Sequence, residues 1–226
     1  MLDQRLSATL QSLENAAKGA HRPVPRLLAV SKTQSATAVA ALAAAGQRAF
    51  GENYVQEAQA KVAELASLQL EWHLIGHLQS NKAESAAGLF DWVQSVDRMK
   101  LVAALARARP PQLPPLNVLI QVNIDDEASK HGCRPDEVPQ LEASIAAEPR
   151  LALRGLMAIP APHPQIERRR AAYRAMSVLF QSLASRHRQI DTLSMGMSDD
   201  YPLAIAEGAT MVRIGTALFG ARAARP

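Results

Sequence analysis

A lysine at the end of a short apolar run is the feature of this chain that most clearly could do chemistry. The run Leu27-Leu28-Ala29-Val30 has no polar alternation before Ser31 and Lys32, which is typical of a strand buried on both faces in a parallel sheet. Lys32 then lies at the carboxyl end of the strand, where parallel sheets and barrels bind their ligands. A lysine whose pKa is lowered by apolar surroundings can attack a carbonyl as a free amine. We therefore expect either carbonyl chemistry at Lys32 or a solvated loop lysine.

Two segments near the end of the chain could hold an anion. Gly196 and Ser198 follow one short apolar run, Gly215 and Thr216 follow the next, and a helical segment comes after each pair. Backbone N–H groups at helix starts, together with the helix dipole, favour a bound anion, and barrels often hold phosphate after strands seven and eight. A phosphate-bearing carbonyl compound could then reach Lys32. The alternative is that these residues only turn the chain and cap helices.

Three other polar residue types are weaker candidates. His73 is interpreted as a packed core histidine and His77 as a hydrogen-bond donor behind the ligand; no third ligand accompanies them, so no metal site is expected. Cys133 is the single cysteine, which excludes an internal disulfide, and it is expected to be an ordinary thiol. Lys130 could be a second amine near the site or a solvated loop residue.

The elements that must position these residues alternate regularly. Leu2 to Lys18 has apolar residues at helical spacing and precedes the first strand. After it, eight strand-then-helix units follow, with no run of consecutive strands. The predicted strands are 27–32, 48–51, 72–76, 92–95, 116–122, 153–159, 192–195 and 211–214. This pattern favours a single-domain (β/α)8 TIM barrel over residues 1–226, with an extra N-terminal helix, rather than a doubly wound sheet.

Composition narrows the class of protein. The 226 residues are 48% hydrophobic and 20% charged, as in a soluble globular protein. No apolar stretch approaches membrane-spanning length and no signal peptide is evident, so we expect a cytoplasmic protein with no membrane partner. The net charge is +4, and its densest run, Arg168 to Arg170 with Arg174, is interpreted as one solvated helix face rather than a nucleic-acid site.

Taken together, these motifs resemble the pyridoxal phosphate homeostasis protein family, the single-domain relatives of alanine racemase. The resemblance covers nearly the whole chain in order. Its motifs are AVSK at 29–32, FGENYVQE at 50–57, HLIGHLQSNK at 73–82, GLM at 155–157, SMGMSDD at 194–200 and VRIGTALFG at 212–220.

The resemblance implies a cofactor and a set of residues that hold it. The cofactor is pyridoxal 5'-phosphate (PLP), carried covalently as an internal aldimine, a Schiff base, on Lys32. Arg213 matches the position whose guanidinium faces the pyridine nitrogen. The other matched positions are Asn53, His77 and Met197 in the pocket lining and Ser198, Gly215 and Thr216 in the phosphate cradle.

The resemblance also implies a role in cofactor supply. A charged arginine opposes protonation of the pyridine nitrogen and so weakens the ring as an electron sink. Alanine racemases add a tyrosine base from a second domain, which is expected to be absent here because the chain ends at Pro226. The implied function is intracellular PLP (vitamin B6) homeostasis, meaning buffering and delivery to recipient apo-enzymes by a monomer without amino-acid turnover. The alternatives are a PLP enzyme such as a weak racemase or lyase, an interaction module, and a class I aldolase.

Overall fold

The alternating apolar runs and helices form a closed ring of parallel strands. In the computed structural model, which describes residues 1–127 and 130–220, eight strands pair in chain order and the eighth pairs in parallel with the first. The predicted (β/α)8 barrel with an N-terminal helix is therefore confirmed. Residues 128 and 129, which follow the fifth predicted strand, and residues 221–226, which follow the eighth, lie outside the described residues.

The strands are short and largely buried. Their bounds are β1 Arg26–Val30, β2 Ala49–Glu52, β3 Glu71–Leu74, β4 Trp92–Val96, β5 Leu116–Gln121, β6 Leu151–Met157, β7 Thr192–Met197 and β8 Met211–Ile214. Helices on both faces or around a barrel leave such strands little solvent contact, which explains their continuous apolar sequences.

Helices surround the ring and connect successive strands. Their bounds are α1 Leu2–Gly19, α2 Ala36–Ala44, α3 Val55–Glu64, α4 Ala83–Leu89, α5 Met99–Ala108, α6 Val138–Ala146, α7 Ile166–Arg186, α8 Tyr201–Ala206 and α9 Thr216–Phe219. Short 3-10 turns occur at Ala66–Leu68, Ser80–Lys82 and Pro135–Glu137. None of these helices is long and apolar enough to cross a membrane.

A local sequence signal accounts for the start of α2. Ser35 caps this helix, since its side-chain oxygen accepts a hydrogen bond from Ala38 N at 3.2 Å. Glycine often ends a helix, but α4 runs one residue past Gly88. The helix continues to Leu89 because the next residue, Phe90, is buried and its N–H still bonds to Ala86 O.

The apolar core has an outer and an inner part. The outer core lies between the strands and the surrounding helices and includes Leu74 and Leu105. Side chains alternate across each strand, so the other strand residues point into the barrel. Two smaller inner clusters are Leu28, Ala49, Ile75 and Met211, and Trp92, Leu119 and Met157. The interior is therefore packed, and space for a ligand occurs at the mouth.

Candidate functional site

A cavity of about 520 Å³ lies at the mouth formed by the carboxyl ends of the strands. Its volume is within the range of about 300–1,000 Å³ that small-molecule sites have. Most of the predicted site residues line it, namely Lys32, Asn53, Met197, Ser198, Arg213, Gly215 and Thr216. The first and the last two strand ends thus meet at a single cavity.

Some lining residues were missed by the sequence interpretation. They are Val30, Gln34, Ile75, Ile159, Asp199 and Gly220. All lie within a few positions of a strand end or of a predicted residue, and Asp199 directly follows Ser198. The position of each residue relative to its strand end was the signal that could have identified them.

Lys32 is half-buried and lies in a tight turn after β1. Ser31 N donates to Gly51 O at 2.9 Å, and Gln34 N donates back to Ser31 O at 3.0 Å. Thr33 has a φ of +65°, a left-handed conformation that is uncommon for residues other than glycine. The turn therefore holds Lys32 in a defined and locally strained stretch of backbone.

Arg213 brings a buried positive charge to the cavity from β8. Its side chain donates to Ser194 O, Ser194 Oγ and Ala158 O, each at 2.8 Å. Burial lowers the pKa of Arg213 to about 10, partly offset by the nearby Tyr173 and Asp200, so the guanidinium remains protonated at pH 7. The cavity thus contains a fixed cation on the strand next to β1.

A chain of hydrogen bonds runs from Arg213 into the barrel interior. Arg213 donates to Ser194 Oγ, and Ser194 Oγ donates to Gln94 Oε1 at 2.7 Å. The amide nitrogen of Gln94 then donates to His73 Nδ1 at 2.9 Å. Arg213 can only donate, so the Ser194 hydroxyl donates onward to the oxygen of Gln94, whose nitrogen then donates to His73.

This series of hydrogen bonds ends at the carboxylate of Glu71, at the opposite end of the barrel. Because His73 Nδ1 accepts from Gln94, its Nε2–H is left to donate to Glu71 Oε1, which also accepts from Arg26 at 2.7 Å. Complete burial lowers the pKa of His73, which keeps the ring neutral in this arrangement. His73 is thus a packed and bonded core histidine, consistent with its sequence interpretation, and its ring also stacks on Trp92.

The loop after β7 is held by a single carboxylate. Asp200 Oδ1 accepts from Met197 N at 2.8 Å, and Asp200 Oδ2 accepts from the hydroxyl of Tyr173 at 2.7 Å. Gly196 in this strand end has a φ of +91°, and a Cβ there would lie 2.5 Å from the Cβ of Ala204. The glycine lets α8 pack closely, so that Ser198 lies at the cavity in front of a short helix.

His77 lies apart from the other predicted residues. It lines a neighbouring cavity of about 430 Å³, to which Asn53 also contributes. Its ring stacks on His131 with centroids 3.8 Å apart, and its Nδ1 lies 3.8 Å from Asp97 Oδ2. Desolvation, and to a lesser extent the adjacent His131, lower the pKa of His77. Strand-end position alone could not distinguish the two cavities.

The two remaining candidates have defined surroundings. Lys130 donates to Ile159 O at 3.2 Å and pairs with Glu127, so this loop lysine reaches the rim of the first cavity. Cys133 is buried, and burial raises the pKa of its thiol to about 12. The loop folds this side chain inward and disfavours the reactive thiolate, which agrees with the expectation of an ordinary rather than a catalytic thiol.

Comparisons of the sequence with known proteins identify close relatives. The family model "Alanine racemase, N-terminal domain" matches residues 4–223. The chain is 56% identical over 199 residues to the pyridoxal phosphate homeostasis protein of Escherichia coli K12, covering 87% of this chain and 85% of that protein. It is 50% identical over 227 residues to the protein of the same name from Haemophilus influenzae, covering 98% and 96% of the two chains.

Solved structures of PipY from Synechococcus elongatus PCC7942 have the same fold. The structure without PLP gives a TM-score of 0.88 at 37% identity, and the structure with PLP bound gives 0.82 at 38% identity. In both cases the match covers 97% of this chain and 100% of PipY.

Proposed function

The chain belongs to the pyridoxal phosphate homeostasis protein family, and from this premise we propose that it binds PLP at the mouth of its barrel and acts in the homeostasis of that cofactor. The observation that carries the proposal is the convergence of Lys32, Arg213 and the loops after β7 and β8 on one cavity. The relatives' names and the PLP-bound PipY structure support the same conclusion.

The chemistry of the lining fits the proposed cofactor. Ser198 and Thr216 offer hydroxyl donors, and Gly215 has no side chain to obstruct the start of α9. Backbone and hydroxyl donors of this kind suit a phosphate group. Asn53, Ile75 and Met197 provide a mixed polar and apolar lining for a planar ring.

Lys32 is the residue that we propose carries the cofactor. When bound, PLP supplies an aldehyde carbon to which an amine can bond while the aldehyde oxygen leaves as water. Lys32 lines the cavity, and the turn after β1 fixes its backbone. Lys130 lies at the rim, with its amine engaged by Ile159 O and Glu127.

Arg213 is proposed to restrain the chemistry of the bound ring. Its guanidinium remains charged, and three hydrogen bonds fix its position at the cavity. A fixed positive charge disfavours protonation of a neighbouring pyridine nitrogen, and an unprotonated ring withdraws electrons less strongly. This favours holding the cofactor over turning over an amino acid.

The acid–base groups of the cavity support the same distinction. Among its described lining residues, the titratable side chains are Lys32, Asp199 and Arg213. With Arg213 protonated, the candidate bases are Lys32, whose amine an incoming amino acid would release from the cofactor, and Asp199, which lies in the loop assigned to the phosphate. A positioned acid or base contributes about 10²- to 10⁴-fold to such reactions. We propose a binding protein, with an enzyme that uses Lys32 or Asp199 as base as the alternative.

Borohydride reduction and peptide mapping test the cofactor assignment. The protein is incubated with PLP, reduced, digested and analysed by mass spectrometry, beside Lys32→Ala and Lys130→Ala as controls. We expect the added mass on a Lys32 peptide in the wild type and in Lys130→Ala, and its loss in Lys32→Ala. Saturable labelling of Lys130 with none at Lys32 would refute the assignment.

Isotope exchange distinguishes the binding protein from the enzyme. Loaded protein and free PLP at equal concentration are compared for deuterium exchange at the alpha carbon of several amino acids. We expect the protein to exchange no faster than free PLP. Faster exchange would establish the enzyme instead, and its loss in Lys32→Ala or in Asp199→Asn would identify the base.

The location of the cavity at the mouth of the barrel supports a role in delivering the cofactor to other proteins. We propose that a monomer releases PLP to recipient apo-enzymes. Loaded protein mixed with an apo-aminotransferase should restore its activity, and light scattering should give the mass of one chain. Retention of all the PLP in the presence of the apo-enzyme would refute delivery.

A further inference from the structure

A buried cluster of charges lies directly beneath the turn that contains Lys32. Lys61 on α3 is only 6% exposed, and Glu52 at the end of β2 is fully buried. Lys61 Nζ contacts Glu52 Oε1 at 2.7 Å and Glu57 Oε1 at 2.8 Å. Ion pairs are rarely buried this deeply, because removing charges from water is costly.

This cluster contacts the backbone on both sides of Lys32. On the amino-terminal side, Lys61 Nζ donates to Ser31 O at 2.7 Å, and Ser31 Oγ donates to Glu52 Oε1 at 2.6 Å. On the carboxyl-terminal side, Thr33 N donates to Glu57 Oε1. The peptide groups before and after Lys32 are therefore held by a single network.

The network also holds a strained conformation. Thr33 is β-branched, and its φ of +65° places it in the left-handed region, which β-branched residues avoid. Such strain persists only where the surroundings over-determine the backbone. Glu57, which binds Thr33 N, and Lys61, which binds both Glu57 and Ser31 O, provide that restraint.

Stability alone does not account for the cluster. One oxygen of Glu52, Oε2, is buried without a hydrogen-bond partner. Burial raises the pKa of Glu52, although Lys61 and Ser31 act in the opposite direction. Apolar residues of similar volume often stabilise a protein as well as a buried ion pair does. The common property of the polar contacts is that they converge on the Lys32 turn.

We propose that Glu57 and Lys61 are positioning residues that hold the Lys32 turn in the conformation that directs the amine into the cavity. The inference rests on the proposed function, since it concerns the lysine assigned to the cofactor. It predicts that loosening the turn weakens capture of an aldehyde by Lys32 while the remainder of the binding cavity is retained. Misplacement of a reacting group by about 1 Å can reduce a rate about 10²-fold.

Two ligands separate positioning of the amine from integrity of the cavity. PLP has the aldehyde that Lys32 would capture, whereas pyridoxine 5'-phosphate has an alcohol there and can bind only without a covalent link. Glu57→Leu, which removes the acceptor of Thr33 N, and Lys61→Met are compared with the wild type and with Glu64→Leu, at an exposed position on the same helix. The readouts are the affinity for each ligand, the rate of borohydride trapping at Lys32, and the melting temperature.

We expect Glu57→Leu to reduce PLP affinity and the trapping rate by about tenfold or more, and to leave pyridoxine 5'-phosphate affinity within about twofold of wild type. Glu64→Leu should match the wild type in its affinity for both ligands and in its trapping rate. Equal losses of affinity for both ligands, or no loss for PLP, would overturn the inference. Should Lys61→Met not fold, Glu57→Leu decides alone, and absence of trapping at Lys32 in the wild type would refute the proposed function instead.

Discussion

Replacing Gln94 with leucine tests the hydrogen-bond chain inside the barrel. Gln94 is fully buried and links Ser194, which contacts Arg213, to His73. Leucine has a similar volume and fills the space without either hydrogen bond. The Ser194 hydroxyl then loses its acceptor, and His73 Nδ1 loses its donor.

The expected loss of stability follows from these two polar groups, which are left without hydrogen-bond partners. A buried polar group left without a partner costs about 1–3 kcal/mol, and the apolar side chain offsets part of this. We expect the free energy of unfolding to fall by about 1–5 kcal/mol. Urea unfolding, followed by circular dichroism and by the fluorescence of Trp92 against His73, measures the change.

Gln140→Leu is the matched control, because Gln140 is an exposed residue of α6. Surface substitutions usually change stability by less than about 0.5 kcal/mol. The reasoning would be refuted if Gln94→Leu unfolded within that margin of the wild type. It would also be refuted if both variants lost the same amount, since the effect would then not depend on burial.

Further predictions concern the guanidinium, the β7 loop and the thiol. Arg213→Glu should shift the absorption of bound PLP towards that of the ring-protonated form, and an unchanged spectrum would mean that Arg213 does not face the ring nitrogen. Tyr173→Phe removes the hydroxyl that donates to Asp200, and should weaken PLP binding about three- to tenfold in a fluorescence titration; wild-type affinity would contradict a role for this bond. Cys133, with its thiol pKa raised to about 12, should react with Ellman's reagent at pH 8 only after unfolding, and rapid reaction of the native protein would show that the thiol is accessible.

Strand-end positions predicted much of the cavity because of how parallel strands are arranged. Every β-to-α unit turns in the same sense, so residues after separate strands meet at one mouth. Lys32 and Arg213 are far apart in sequence, but β1 pairs with β8, with Leu28 opposite Arg213. His77 follows β3 and satisfies the same rule, yet it lines the adjacent cavity. Strand-end position therefore identifies the residues at the mouth of the barrel, but not which of the two cavities each residue lines.

Strand-end position could not predict which hydrogen-bond partners the buried polar residues have. Ser194 and Gln94 are 100 positions apart, and their contact depends on how side chains from β4 and β7 meet across the interior. The sequence also did not predict the burial of Lys61, because a lysine on an amphipathic helix is usually solvated. Both arrangements depend on register and packing, which alternation of apolar residues does not specify.

The sequence by itself determined the order of strands and helices, the strand-end location of Lys32, and the polar loops after β7 and β8. These features follow from local periodicity and turn chemistry, which a linear pattern records directly. Only the tertiary structure decided which polar groups meet, including the chain from Arg213 to Glu71 and the charges that hold the Lys32 turn. Such contacts form between side chains distant in sequence, and their strength depends on burial that only the closed barrel creates.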